Sequence, residues 1–161
     1  KILTMHIKIV CIGKTDQREI EALMGQYTER LQHYIKTEWI FIPDPKNRKT
    51  LSKEMQMAWE ADQISSHIKN NDLAILLDEK GKTFSSMGLS EFINKTMVAG
   101  YKHAVFVIGG PYGISASLKS KHPQCISLSS LTFSHQMVRL FLVEQLYRAM
   151  TILNNEPYHH E

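Results

Sequence analysis

The chain has 161 residues, of which 43% are hydrophobic and 22% are charged. These values suit one globular domain, and they exclude disordered and fibrous classes as well as a catalytic domain with a separate RNA-binding module. The formal net charge of +3 permits a polyanionic partner, although an obligate nucleic-acid-binding domain is usually more basic.

A strand near the N-terminus is the first predicted element. Residues 1–4 resemble a cloning remnant or an upstream extension, and the apolar run from Met5 to Ile12 predicts a buried strand. The sequence has no internal repeat and no linker. We therefore expect one domain over residues 5–161.

Helical and strand-like patterns alternate along the following part of the chain. Strands are predicted over residues 38–43, 73–77 and 104–108, and helices over residues 20–34, 51–69 and 86–99, the last of them ended by Gly100. A capping-box spacing at residues 16–19 marks the start of the first helix. The nearly continuous apolar run at 104–108 indicates a strand buried on both faces. The alternation predicts an α/β fold, with a mainly parallel sheet and helices on both of its faces.

A glycine-rich segment at residues 108–113 follows the last of these strands. Its spacing does not match the dinucleotide-binding motif, and the sequence near Gly81 is not a P-loop because Leu76 stands where that motif needs glycine. Glycines after a buried strand let a ligand approach the backbone at the carboxyl end of the sheet. Turn formation alone is the alternative explanation of these glycines.

Hydroxyl side chains are concentrated at residues 126–135, between a short strand and a long helix. Small polar residues at this position suit hydrogen bonds to a purine and a ribose. Capping of the long helix by Ser134 is the alternative reading.

The long helix is predicted over residues 136–153 and is apolar on most sides between positions 137 and 143. We expect such a helix to be buried all round. Packing against both its own sheet and a second subunit would achieve this, so the sequence favours a homodimer. A purely intramolecular core is the alternative.

The two cysteines, Cys11 and Cys125, lie in or beside apolar runs and are expected to be buried free thiols. The chain has no cysteine or histidine spacing typical of a metal site. It also has neither an apolar run of roughly 18 to 20 residues nor a signal-peptide pattern. We therefore expect a cytoplasmic protein without a metal and without a membrane partner.

Five short segments are specific enough to indicate a family. They are LDEKGK at 77–82, IGGPYG at 108–113, LTFSHQMVR at 131–139, EQLYRA at 144–149 and PYH at 157–159. Together they resemble the RlmH family, the ribosomal large-subunit pseudouridine N3-methyltransferases. The resemblance runs from Met5 to the end of the chain, and it implies the SPOUT fold with a C-terminal trefoil knot. Periodicity cannot indicate a knot, because true knots are rare exceptions to the connection rules.

The resemblance also implies S-adenosylmethionine (SAM) as the cofactor. The cofactor contacts of the family would fall on Leu77, Gly110, Ser129, Ser130, Leu131, Thr132, Phe133 and Ser134. Many members have proline in place of Ser134, and we expect this departure to have little functional effect.

The implied acceptor is N3 of a pseudouridine in helix 69 of 23S rRNA, modified on assembled ribosomes. This nitrogen must lose its proton before or during attack on the methyl group, so the reaction needs a base. Histidine suits neutral pH best. We rank His159 in the tail slightly above His135 at the start of the last helix, and we expect Tyr158 to help the tail order over the base.

Two arginines are further candidates. Arg139 and Arg148 could hold a phosphate or stabilise the deprotonated imide. Arg148 lies four residues after Glu144, so an intrahelical ion pair explains it equally well. A SPOUT enzyme acting on tRNA or on another base remains an alternative to this assignment. A non-enzymatic ribosome-assembly factor also remains, although the intact SAM segment argues against it.

Overall fold

A computed structural model describes residues 4–160, so residues 1–3 of the expected extension lie outside the described residues. The strands are β1 (His6–Ile12), β2 (Thr37–Ile42), β3 (Asp72–Thr83), β4 (His103–Ile108) and β5 (Cys125–Ser127). The helices are α1 (Arg18–Gln32), α2 (Lys53–Ser65), α3 (Ser86–Val98), α4 (Ala116–Lys121) and α5 (His135–Leu153). The strands form one sheet in the order β2-β1-β4-β3-β5, and every neighbouring pair is parallel.

Alternate side chains of β1 enter cores on opposite faces of the sheet. Ile7 and Ile9 pack with apolar residues of α1, α3 and α5, whereas Val10 and Ile12 pack with residues of α2 and α4. The neighbouring strand β4 is buried along nearly its whole length, as its apolar run indicates. The prediction of an α/β fold with a parallel sheet covered on both faces is confirmed. The trefoil knot stays a prediction.

Several boundaries differ from those predicted. Helix α1 begins after Gln17, whose side chain makes no capping hydrogen bond, so the predicted capping box is wrong. Helix α2 is shorter than the predicted helix over residues 51–69. Ser52 caps its N-terminus by accepting a hydrogen bond from the N–H of Met55, and the helix ends at Ser65. Helix α4 was not predicted, because six residues are too few to establish a helical period.

Helix α5 is not buried all round. Its buried residues include Leu142, Val143 and Leu146, but the side chain of Phe141 is 37% exposed. One side of α5 is therefore left uncovered within a single chain, and burial of the helix all round by a second subunit stays a prediction. Among the described residues, no helix is long and apolar enough to cross a membrane.

Candidate functional site

A cavity of about 350 Å³ lies at the edge of the sheet where β4 and β5 end, beside residues 77–79 of β3. Parallel strands of α/β sheets bind ligands at this edge, because the loops that follow the strands converge there. Residues from 77–79, 108–114 and 127–138 line the cavity. It lies where the sequence had placed the glycine-rich and hydroxyl-rich segments.

The loop after β4 is a tight turn that requires glycine. Gly113 has φ +81°, and its N–H donates to the carbonyl oxygen of Gly110 at 3.0 Å. A Cβ on Gly109 would lie 2.9 Å from Cγ1 of Ile114. The turn therefore has no room for a side chain at Gly109, and the close approach of a ligand to this backbone stays a prediction.

Strand β3 contains an irregularity that carries acidic side chains to the cavity. Its pairing with β5 shifts between Leu77 and Lys82, and a Cβ on Gly81 would lie 2.7 Å from the backbone carbon of Ile126. Asp78 and Glu79 in this irregular segment line the cavity. Neither acid was predicted as a site residue, because a bulge of this kind depends on β5 and leaves no local pattern.

The two acids differ in their partners. Asp78 forms an ion pair with Lys119 and accepts a hydrogen bond from the backbone N–H of Lys80, and these contacts lower the pKa of Asp78. Glu79 accepts a hydrogen bond of 2.9 Å from the hydroxyl of Thr132. This second contact joins β3 to the hydroxyl-rich loop across the cavity.

The hydroxyl-rich loop is held by its own side chains. The hydroxyl of Ser127 donates to the carbonyl oxygen of Ser129 at 2.8 Å, and the hydroxyl of Ser129 accepts from the N–H of Leu131 at 3.0 Å. Ser134 caps α5 by accepting from the N–H of Met137 at 3.1 Å. The capping interpretation of Ser134 is confirmed, and the loop is fixed at both ends.

The structure brings most of the predicted cofactor residues to one cavity. It is lined by Leu77, Gly110, Ser129, Leu131, Thr132 and Phe133, whereas Ser130 and Ser134 are outside the lining. The side chain of Leu131 is 71% exposed beside this cavity.

The predicted catalytic residues do not meet at one place within a single chain. His135 lines the cavity. Arg148 lies thirteen residues further along α5, which corresponds to about 20 Å at 1.5 Å per residue. Tyr158 and His159 contact this distant end of the helix rather than the cavity lining. A catalytic role for any of these residues stays a prediction.

Arg139 is buried, at 2% exposure. Its guanidinium donates to the hydroxyl of Thr15 at 3.0 Å and to the carbonyl oxygen of Ile12 at 2.8 Å, and it lies over the ring of Phe41. These contacts join α5 to the loop after β1. Arg139 therefore has a structural role, because it links α5 to the loop after β1. Its predicted contact with a phosphate stays a prediction.

The tail forms a network on the last turns of α5. Glu144 accepts hydrogen bonds from Arg148 at 2.7 Å and from the hydroxyl of Tyr158 at 2.9 Å. A nitrogen of Arg148 lies 3.3 Å from Nδ1 of His159. Burial, together with hydrogen bonds to Tyr27 and Glu144, raises the pKa of Tyr158. The predicted ion pair of Glu144 with Arg148 is confirmed.

Neither cysteine is in a disulfide, and Cys11 is fully buried, which raises the pKa of its thiol to about 12. Within residues 4–160, no group of three or more His, Cys, Asp or Glu side chains is placed to hold a metal ion.

Comparison with known proteins identifies the family to which this chain belongs. Residues 5–159 match the family described as "Predicted SPOUT methyltransferase". The chain is 57% identical to ribosomal RNA large subunit methyltransferase H of Christiangramia forsetii, over 97% of this chain and 99% of that protein. It is 54% identical to the protein of the same name from Flavobacterium johnsoniae, over 98% of this chain and 100% of that one.

Solved structures support the fold. The tRNA (m1G37) methyltransferase from Aquifex aeolicus superimposes with a TM-score of 0.55 at 13% identity, covering 97% of this chain and 75% of that one. This low identity shows a shared fold alone. The family model and the sequence matches over nearly the whole chain show that this protein belongs to the SPOUT methyltransferases. Within them, it belongs to the family of ribosomal RNA large subunit methyltransferase H.

Proposed function

We propose that this protein transfers a methyl group from SAM to N3 of a pseudouridine in helix 69 of 23S rRNA, on assembled ribosomes. The observation that carries the proposal is the cavity at the carboxyl ends of β4 and β5, beside residues 77–79 of β3, with its glycine turn and fixed hydroxyl loop. Relatives at 54–57% identity are named for the large ribosomal subunit, and this favours rRNA over tRNA as the substrate.

The cavity fits SAM in size and in chemistry. Its volume of about 350 Å³ lies within the range of small-molecule sites. The Gly109–Gly110 backbone is bare, so a flat ring can approach it, and Leu77, Leu131 and Phe133 supply apolar surface. The hydroxyl loop and Glu79 offer acceptors for ribose hydroxyls. Bound there, SAM would supply an electrophilic methyl group on its sulfonium.

The chain's own residues must align the acceptor and remove its proton. His135 lines the cavity at the first turn of α5 and is the histidine placed to act as a base within one chain. His159 and Tyr158 belong to the tail after this helix and contact Arg148 and Glu144, several turns away from His135. We infer that the tail acts on the cavity of a second copy, so that a homodimer completes the site. The exposed side of Phe141 supplies part of the apolar contact between copies.

This assignment implies the ribosome as partner and the cytoplasm as location. The net charge of +3 is too small to hold a short RNA strongly at physiological salt, since phosphate contacts supply most non-specific affinity. An assembled ribosome presents the target loop rigidly. Shape complementarity with the ribosome can then supply the binding affinity that the small net charge does not. We therefore expect transfer to ribosomes and not to an isolated helix 69 hairpin.

Two experiments test the proposal in sequence. Calorimetry with EDTA present should show stoichiometric binding of SAM or S-adenosylhomocysteine, and folded protein that gives no heat at high micromolar ligand would rule out the cofactor assignment. Mass mapping of rRNA nucleosides from a deletion strain should then show the loss of one methyl group, restored by the purified protein on ribosomes. Equal rates on a naked hairpin and on ribosomes would contradict the account of substrate recognition.

A further inference from the structure

Glu60 is a buried acid directly behind the glycine turn. It lies in α2, its side chain is 2% exposed, and it is not among the residues that line the cavity. A Cβ on Gly110 would lie 2.7 Å from Oε1 of Glu60, so the carboxylate packs directly against the turn. None of the roles assigned above uses this residue.

One side-chain N–H and the Gly110 backbone face the buried carboxylate. Gln56, also 2% exposed, donates from Nε2 to Oε2 of Glu60 at 3.1 Å, and the carboxylate oxygens pack against Gly110. A buried carboxylate costs free energy unless hydrogen bonds compensate it. A neutral side chain would have filled the same space at lower cost, so the acid calls for an explanation beyond packing.

Gly110 connects this acid to the cavity. Its carbonyl oxygen accepts from Gly113 to close the turn, and the residue itself lines the cavity. We propose that the Glu60 carboxylate is a positioning residue, which holds the Gly110 peptide from behind so that the turn presents its backbone to SAM. This inference rests on the proposed cofactor site. It assigns a role in SAM binding to a residue on the side of the turn that faces away from the cavity.

The charge of Glu60 makes cofactor binding depend on pH. Burial raises the pKa of Glu60, and the nearby Asp44 raises it further, while the hydrogen bond from Gln56, the Gly110 backbone and the proximity of His135 act in the opposite direction. As the pH falls through this pKa, the carboxylate is protonated and its attraction for the Gly110 backbone weakens. Affinity for SAM should therefore fall on the acid side of neutrality.

The substitution Glu60→Gln removes the charge and keeps the shape. Hydrogen bonds to charged groups are stronger than those between neutral groups, so we expect SAM to bind roughly ten-fold more weakly to this variant at neutral pH. The acid-side loss of affinity should disappear from it. Glu54→Gln, at an exposed position in the first turn of the same helix, is the matched control and should bind as wild type.

A double-variant cycle tests the contact itself. Gly110→Ala forces a methyl group against the Glu60 oxygens and should weaken SAM binding, whereas the same change in a Glu60→Ala protein finds vacated space. The loss of SAM affinity in the double variant should therefore be smaller than the sum of the losses in the two single variants. Thermal melts of each variant establish that it is folded before binding is measured by calorimetry.

The outcomes separate this inference from the proposed function. If the wild-type protein binds no SAM, the cofactor site itself is wrong. If the wild type binds SAM but Glu60→Gln keeps its affinity and pH profile, Glu60 does not position the turn. A pH dependence that persists in Glu60→Gln would belong to another group. Strictly additive losses in the cycle would mean that the Gly110 methyl group does not act through Glu60. Each result overturns the proposal.

Discussion

The guanidinium carbon of Arg148 lies 4.6 Å from the ring centroid of Tyr158, which places a cation over an aromatic face. Both side chains also bind the carboxylate of Glu144. The tail is thus folded back along α5 by a charged residue and an aromatic residue together. It is held in place at the end of α5 that lies away from the cavity.

Truncation after Pro157 should abolish methyl transfer while SAM affinity stays within a few-fold of wild type. The deletion removes Tyr158 and His159 but leaves every residue of the cavity lining. Transfer on ribosomes and calorimetric SAM binding measure the two effects separately. His160→Ala, at an exposed position that leaves the Tyr158 network intact, is the control and should remain active. A truncated protein that methylates ribosomes at the normal rate would disprove a role for the tail.

Arg139→Met should destabilise the fold more than it affects SAM binding. The substitution leaves the buried Ile12 carbonyl without its donor, at a cost of about 1–3 kcal/mol, and it also removes the donor to the half-buried Thr15 hydroxyl. A melting temperature roughly 5–10 °C below wild type is expected in a thermal scan. Arg18→Met, at an exposed position, should melt within a degree or two of wild type. A variant that melts normally and yet loses methyl transfer would favour a catalytic Arg139.

Gly81→Ala and Gly25→Ala should have effects of opposite sign on stability. A methyl group at Gly81 would collide with the β5 backbone at 2.7–2.8 Å, so β5 must move and the free energy of unfolding should fall by several kcal/mol. Gly25 lies exposed in α1 with nothing within 4 Å of its Cβ position, and alanine there should stabilise by about 0.5–1 kcal/mol. Urea denaturation measures both values. Equal effects would mean that β3 and β5 are not in close contact.

Phe141→Glu should separate the dimer without unfolding the chain. The side chain is 37% exposed and contacts Phe133 with ring centroids 4.9 Å apart, so the new carboxylate can reach water within a monomer. Light scattering should give the mass of one chain for this variant and of two for wild type. Val98→Glu, at a 77% exposed position on α3, should leave the dimer intact. A folded Phe141→Glu dimer would place the interface elsewhere.

Local patterns were sufficient for the fold and for much of the cavity lining. The apolar run at 104–108 indicated a doubly buried strand because burial on both faces removes the alternation of polar residues. Ser134 was identified as a cap because a cap depends on the neighbouring residues alone. Gly110 and Thr132 were assigned through the family resemblance, since neither glycine nor threonine specifies a ligand by itself.

Tertiary contacts explain what the sequence could not indicate. Glu60 occurs in α2 where a solvent-exposed acid is expected, and its burial depends on the turn at Gly110, fifty residues away. The burial of Arg139 could not be predicted from local sequence, because its partners Thr15 and Ile12 lie more than 120 residues away in the chain. The acids of the β3 irregularity depend in the same way on β5.

The ties between α5 and the loop after β1 also constrain how the protein is made. Gln136 accepts from the N–H of Asp16, and Arg139 binds Thr15, so residues near the start of the chain are fixed by the last helix. During translation, the loop after β1 is synthesised long before the residues of α5 that bind it. A nascent chain can form its early strands but cannot close this loop or the cavity until α5 has left the ribosome. Folding to a SAM-binding state is therefore expected to follow the emergence of α5.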